Sequence, residues 1–191
     1  MKVAVLIDGG YLRVLVRKQS VQYTPDYIEK VALACIESNE ALLKVLYYDC
    51  PPYPNPIFKP ISNQPLAPQN GQWLIDLSCK DYFAVRRGIL KFRGFKLKQS
   101  SYGKASLQDS DFNADFEQKG VDMRIGLDIA TLSQARSVDR VILLTGDTDC
   151  VPAMKLARRS GIQVVLMDFP GSNLSSELLP HVDFRRSVQW P

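Results

Sequence analysis

Apolar residues in this chain fall into short blocks separated by polar turns, and the blocks have two different rhythms. After its lysine, Lys2–Ile7 is a continuous apolar run rich in β-branched residues that stops at Asp8-Gly9-Gly10. Such a run predicts a strand buried on both faces and leading into a tight turn. Leu42–Tyr48, Arg140–Leu144 and Ile162–Met167 repeat the pattern, closing at Asp49, at Thr145-Gly146-Asp147 and at Asp168. Helical spacing predicts helices over Tyr27–Glu37, Leu74–Val85, Gly120–Ala135 (through Ile125, Ile129 and Leu132) and Pro152–Ser160. Ile89–Leu97 alternates Leu90 and Phe92 with Lys91 and Arg93 until Gly94 interrupts, which predicts a strand pair or a bulged strand. Asp109–Lys119 is polar and is read as a loop.

Strand runs alternating with helices predict a parallel α/β sheet with helices on both faces. Seven prolines between Pro51 and Pro68 cannot hold regular structure for long, so the segment at about 51–72 is read as an extended surface excursion. With no internal repeat and no second boundary, residues 1–191 are read as a single domain carrying that insertion. The 46% hydrophobic and 23% charged content suits a soluble globular protein. No apolar run approaches the roughly 18 residues needed to span a bilayer. The first run meets Asp8 too early for a signal-peptide core, so a cytoplasmic location is expected and no membrane partner.

Four cysteines lie far apart with no C-x-x-C pair, and are expected to be buried thiols rather than zinc or redox centres. A single histidine, His181, excludes multi-histidine metal sites, and no Walker or G-x-G-x-x-G nucleotide signature occurs. Catalysis, if present, falls to carboxylates. Although the net charge is only +4, Lys80–Lys104 holds eight basic residues against the single acid Asp81, and the next stretch is acidic (Asp109, Asp111, Asp115, Glu117, Asp122, Asp128). A basic strip beside an acidic centre suits a polyanion held by its backbone while carboxylates hold a metal; a solvated strand face followed by a polar loop is the plainer alternative.

In open α/β sheets, sites form at the carboxyl ends of strands. Asp8 and Asp147 follow the two most apolar strands, and if those are neighbours their carboxylates emerge together. Like charges at that range favour a divalent cation between them, and a hard cation such as Mg²⁺ or Mn²⁺ suits an all-oxygen ligand set. Each acid also has a structural role open to it: Asp8 and Asp147 as turn residues, Asp149 as a helix cap, Asp122 as an acid favoured at a helix start. Asp128 lies six residues beyond Asp122, roughly 120° around a helix of 3.6 residues per turn, so the two do not share a face within one regular helix.

Val5-Leu6-Ile7-Asp8-Gly9-Gly10, then Lys119-Gly120-Val121-Asp122 with Asp128 beyond it, then Leu144-Thr145-Gly146-Asp147-Thr148-Asp149 together resemble the NYN domain, the LabA-like branch of the PIN-like nuclease superfamily. The resemblance spans nearly the whole chain. It implies a Rossmann-like (PIN-like) parallel sheet and an acidic pocket that binds one or two Mg²⁺ or Mn²⁺ ions and cleaves RNA. The matching positions make Asp8, Asp122, Asp147 and Asp149 the metal-binding catalytic acids, with Asp128 a further catalytic candidate. In one departure, Tyr11 stands where many family members carry Asn in an I-D-x-x-N motif.

The resulting expectation is metal-dependent hydrolysis of single-stranded RNA. Arg13, Arg86, Arg87, Lys91, Arg93 and Lys96 are candidates to hold the phosphate backbone and Tyr11 to stack on a base. Two rivals stand beside it. A non-catalytic RNA-binding or regulatory module would use the same fold. A haloacid-dehalogenase-type phosphatase would need an acid two residues after Asp8, where this chain has Gly10. The sequence leaves oligomeric state, a homodimer included, open.

Overall fold

The computed structural model describes residues 1–67 and 69–191. Its first half runs β1 (Lys2–Asp8), α1 (Gly9–Arg17), α2 (Pro25–Ala34), β2 (Ala41–Asp49), α3 (Gln72–Ser78), β3 (Phe83–Arg87) and β4 (Ile89–Leu97). The second half runs β5 (Phe112–Lys119), α4 (Val121–Ala135), β6 (Arg140–Leu144), α5 (Val151–Arg159), β7 (Gln163–Asp168) and β8 (Phe184–Ser187). Six strands form one sheet in the order β3-β2-β1-β6-β7-β8, and every pairing within it is parallel. Strands β4 and β5 make a separate antiparallel ribbon. This is the α/β architecture that the alternation of runs predicts.

The two-faced burial of the central strands explains their composition. Along β1, Val3, Val5 and Ile7 enter one core with Leu12 and Val16 of α1, Ile28 and Val31 of α2, and Leu74 and Leu77 of α3. Ala4 and Leu6 enter the other, with Ile125 and Ile129 of α4 and Met154 and Ala157 of α5. Because successive strand side chains point to opposite faces, a strand covered on both sides has no place for a polar residue until it ends. Fully burying each large side chain is worth about 1.5–3 kcal/mol, so the central strands are pinned and so is the point where each emerges.

Four elements differ from the sequence reading. Helix α1 replaces the turn expected at Gly9-Gly10: the Asp8 side chain accepts from the Tyr11 amide as its N-cap, and Leu12, Leu15 and Val16 form its buried face. The helix expected over Leu74–Val85 stops at Ser78, and the remainder becomes edge strand β3. Asp109–Lys119 is largely strand rather than loop, since β5 pairs with β4 from Phe112 to Lys119. Strand β8 carries too few apolar residues to be recognised. Cys79 is exposed, unlike the other three cysteines, which are buried.

The Pro-rich excursion is irregular, with only an isolated bridge between Phe58 and Pro65 among its described residues; Pro68 lies outside them. At the opposite end of the sheet from the β1 and β6 termini, the enclosed Glu40 carboxylate binds Arg140 and takes two hydrogen bonds of 2.9 Å from Arg186. That ties the start of β2 to β6 and β8. Among the described residues, no helix is long and apolar enough to cross a membrane.

Candidate active site

Strands β1 and β6 are neighbours, with Ile7 opposite Leu144, so the two strands end side by side. Asp8 ends the first. The second turns through Thr145, only 2% exposed, whose hydroxyl lies 3.5 Å from Asp8 Oδ2 and accepts from the Asp147 amide at 3.1 Å. Asp147 in turn accepts from the Asp149 amide at 2.9 Å, so the cap of this turn is Asp147, not Asp149. From the other side, α4 brings Asp122 in its first turn, entered through Gly120 at φ 76°. Carboxylate oxygens of Asp122, Asp147 and Asp149 lie within 4.8 Å of one another.

The electrostatics of the group follow from this packing. Burial pushes the Asp8 carboxyl above its ordinary range, and the like charges of Asp122 and Asp147 push it the same way. Asp122 is raised by burial, then by Asp147 and Asp149. Among the described residues, no lysine, arginine or histidine forms an ion pair with Asp8, Asp122, Asp147 or Asp149. An all-oxygen set of carboxylates without a cationic partner among the described residues could hold a hard divalent cation.

The cleft above these acids is lined by Asp8, Tyr11, Gln118, Asp122, Asp147 and Asn173. Gln118 and Asn173 are absent from the sequence-based candidates. Gln118 sits on β5, read there as loop. Asn173 follows β7, where only the rule that loops after parallel strands build the site would have pointed to it.

The other candidates are placed differently. Asp128 is not brought to the acidic group: its carboxylate accepts from the Tyr48 hydroxyl at 2.9 Å and from Arg86 Nε at 2.8 Å. The helical rotation that separates it from Asp122 turns it toward β2 and β3, and it occupies Arg86 as well. Arg93 pairs with Glu117 at 3.2 Å and Lys96 with Asp115 at 2.9 Å. With Lys91 they project from the face of the ribbon opposite to Gln118, because side chains alternate along a strand. Phe92 packs among Tyr53, Phe95 and Phe116. Tyr11 is half-buried, with its ring against Gly146 and its hydroxyl enclosed. Arg13 pairs with buried Asp49. Arg87 is exposed and without an ion pair among the described residues.

The order of elements, the parallel sheet and the acids at its carboxyl edge agree with a match to the NYN domain over residues 2–184. The chain belongs to the NYN domain family. NYN domains fall within the PIN-like nuclease superfamily; they are generally nucleases and typically use divalent metals. The three-aspartate group of this NYN domain is in keeping with that assignment. In structure it is similar to a protein of unknown function from Vibrio parahaemolyticus, with a TM-score of 0.55 at 16% identity, covering 98% of this chain and 92% of that one. At that identity the likeness concerns the fold alone. No curated protein matches the chain in sequence.

Proposed function

We propose that this NYN domain is a Mg²⁺- or Mn²⁺-dependent ribonuclease acting on single-stranded RNA. The observation that carries the reading is the group of Asp122, Asp147 and Asp149, with oxygens within 4.8 Å and no cationic side chain paired to them among the described residues. Asp8, Asp122, Asp147 and Asp149 would hold the cation. When bound, it supplies a lowered pKa for water and neutralises charge on phosphate oxygens, so no histidine base is required.

The chain's own groups orient and attract the substrate. Thr145 and the Tyr11 amide fix the Asp8 carboxylate, and the Thr145 hydroxyl and the Asp149 amide fix the Asp147 loop. Gln118 and Asn173 offer amide groups at the cleft walls for phosphate or ribose oxygens. Arg87, exposed at the end of β3 and without an ion pair among the described residues, is free to attract the phosphate backbone.

The test is cleavage of end-labelled single-stranded RNA by the purified protein and by Asp147→Asn, each with Mn²⁺, Mg²⁺ or EDTA. Cleavage that requires both metal and Asp147 is expected, falling by more than about a hundredfold in the variant. Equal cutting by both proteins, or binding without cutting by the unmodified one, overturns the nuclease reading.

A further inference from the structure

A second, narrower cleft of about 240 Å³ lies on the other side of Gln118, which lines both. Its walls include Arg13, Tyr23, Trp73 and Leu90, with Arg17 beside them. Beneath it sits the carboxylate of Asp49, 1% exposed, which accepts from the Arg13 guanidinium, the Tyr47 hydroxyl at 3.0 Å, the Cys50 amide at 2.8 Å and the Gln118 side chain at 3.3 Å. The Tyr23 and Tyr47 hydroxyls share a hydrogen bond of 2.6 Å. Over this network the Arg13 guanidinium carbon lies 5.6 Å from the Tyr23 ring centre and 5.7 Å from that of Trp73. The two rings meet edge-on, 6.0 Å apart at 71°.

A buried ion pair is a poor device for stability, since two apolar residues of similar size usually serve as well. What the Arg13–Asp49 pair does achieve is orientation. It fixes a planar cation beside two aromatic rings, with 27% of the Arg13 side chain still open to solvent. Arginine planes and aromatic rings are the surfaces on which proteins stack unpaired bases, and an amide such as that of Gln118 can read a base edge. The volume falls below the roughly 300–1,000 Å³ of sites for drug-sized ligands, leaving room for one planar base but not for a base pair. The cleft also adjoins the acids closely: a Cβ on Gly9, the residue after Asp8, would lie 2.7 Å from Asp49 Oδ2.

We propose that this cleft is a base-binding subsite that takes one unpaired nucleotide of the RNA beside the phosphate held at the acidic group. Arg13 and Trp73 contact the base, and Asp49 is a positioning residue that holds the Arg13 plane. The proposal rests on the ribonuclease reading for its substrate, but its test does not depend on cleavage.

The chain has two tryptophans. Trp190 stacks on Phe169 with ring centres 4.3 Å apart, so Trp190→Phe keeps a stacked ring there and leaves Trp73 as the sole indole reporter. In EDTA, this protein is titrated with AMP, GMP, CMP, UMP and ribose 5-phosphate while Trp73 fluorescence is followed. Saturable quenching by at least one nucleotide and none by ribose 5-phosphate is expected. Arg13→Lys, which keeps the charge but not the plane, weakens binding about tenfold, the order expected of one stacked base. Arg13→Gln combined with Asp49→Asn removes the guanidinium without leaving a bare carboxylate, and is expected to raise KM for RNA about tenfold with kcat little changed. Quenching by ribose 5-phosphate equal to that by the nucleotides, or no quenching by any of them, overturns the subsite, whatever the cleavage assay shows. Nucleotide binding by a protein that cleaves no RNA would instead retain the subsite and overturn the nuclease reading.

Discussion

The ring of Tyr11 lies directly over the backbone of Gly146: a Cβ at position 146 would fall 2.6 Å from Tyr11 Cε2. This contact locks the first turn of α1, which Asp8 caps, to the loop after β6, which carries Asp147. Gly146→Ala is therefore expected to destabilise the protein by about 1–3 kcal/mol, as overpacking does, and to reduce cleavage. Adding Tyr11→Ala removes the obstructing ring and should restore part of the stability. The check is a double-mutant cycle by chemical denaturation; additive effects of the two substitutions would sink the idea.

Repulsion within the acidic group makes stability depend on metal with opposite signs. Without divalent ions, Asp122→Asn relieves like charge and should raise the melting temperature slightly. Its carboxylate is exposed, so the gain is a fraction of a kcal/mol, about 0.5 or less. With Mn²⁺ at about 100 times its Kd, the unmodified protein gains about 2.7 kcal/mol, and the variant should gain less. Thermal melts with and without Mn²⁺ test both halves; parallel shifts in the two proteins would remove Asp122 from the ligand set.

Asp128 and Asp122 share a helix but answer to different neighbours. Asp128→Asn loses its pairing with Arg86 and weakens the acceptor for the Tyr48 hydroxyl. Stability should fall by about 1 kcal/mol, while cleavage stays within about threefold of the unmodified protein, less than the tenfold that 1.4 kcal/mol represents. A loss matching that of Asp122→Asn would place Asp128 in the chemistry after all.

Glu40 governs the response to acid. Burial disfavours its charge, but hydrogen bonds from Arg186, the Glu37 amide and Arg140 outweigh that and hold its pKa down at about 2, against an ordinary 4.5. The unfolded chain thus takes up this proton at higher pH than the folded one. The stabilisation is complete above pH 4.5 and is lost as pH falls through about 2. Glu40→Gln should cost about 3 kcal/mol at neutral pH and flatten the decline in stability between pH 4.5 and 2. Urea midpoints across that range measure it.

What could be read from the sequence is what burial dictates. Val3–Ile7 and Val141–Leu144 are covered on both faces, and their unbroken apolar runs reveal both the central strands and the acids where those strands end. Elements with little apolar surface were less legible. In β5, Phe112, Ala114, Phe116 and Gln118 alternate with charged or polar neighbours, but Asp115 and Glu117 are stabilised by cross-strand basic partners that a linear reading does not supply. The start of α1 is masked by its glycine pair, and the cap that begins it is the same Asp8 that faces the acidic group. The basic candidates for substrate binding rested on charge alone, and the ion pairs of Arg86, Arg93 and Lys96 depend on which strands and helices meet.

The irregularity between Phe92 and Gly94 has a consequence for how the ribbon tolerates change. Arg93 has no partner of its own in the register and Gly94, at φ +103°, faces Asp115, so β4 carries one extra residue and its inside–outside parity inverts there. Phe92 and Phe95, an odd number of residues apart, can then meet at 5.3 Å on one face, while Arg93 and Lys96 both reach acids of β5 on the other. Deleting Gly94 would therefore leave Phe92, Arg93, Phe95 and Lys96 in strict alternation, with the two halves of the strand still in phase. Phe95 would stay inward and Lys96 outward, so the ribbon can shed this one residue and keep its pattern, and what the extra residue sets is the bend of the strand.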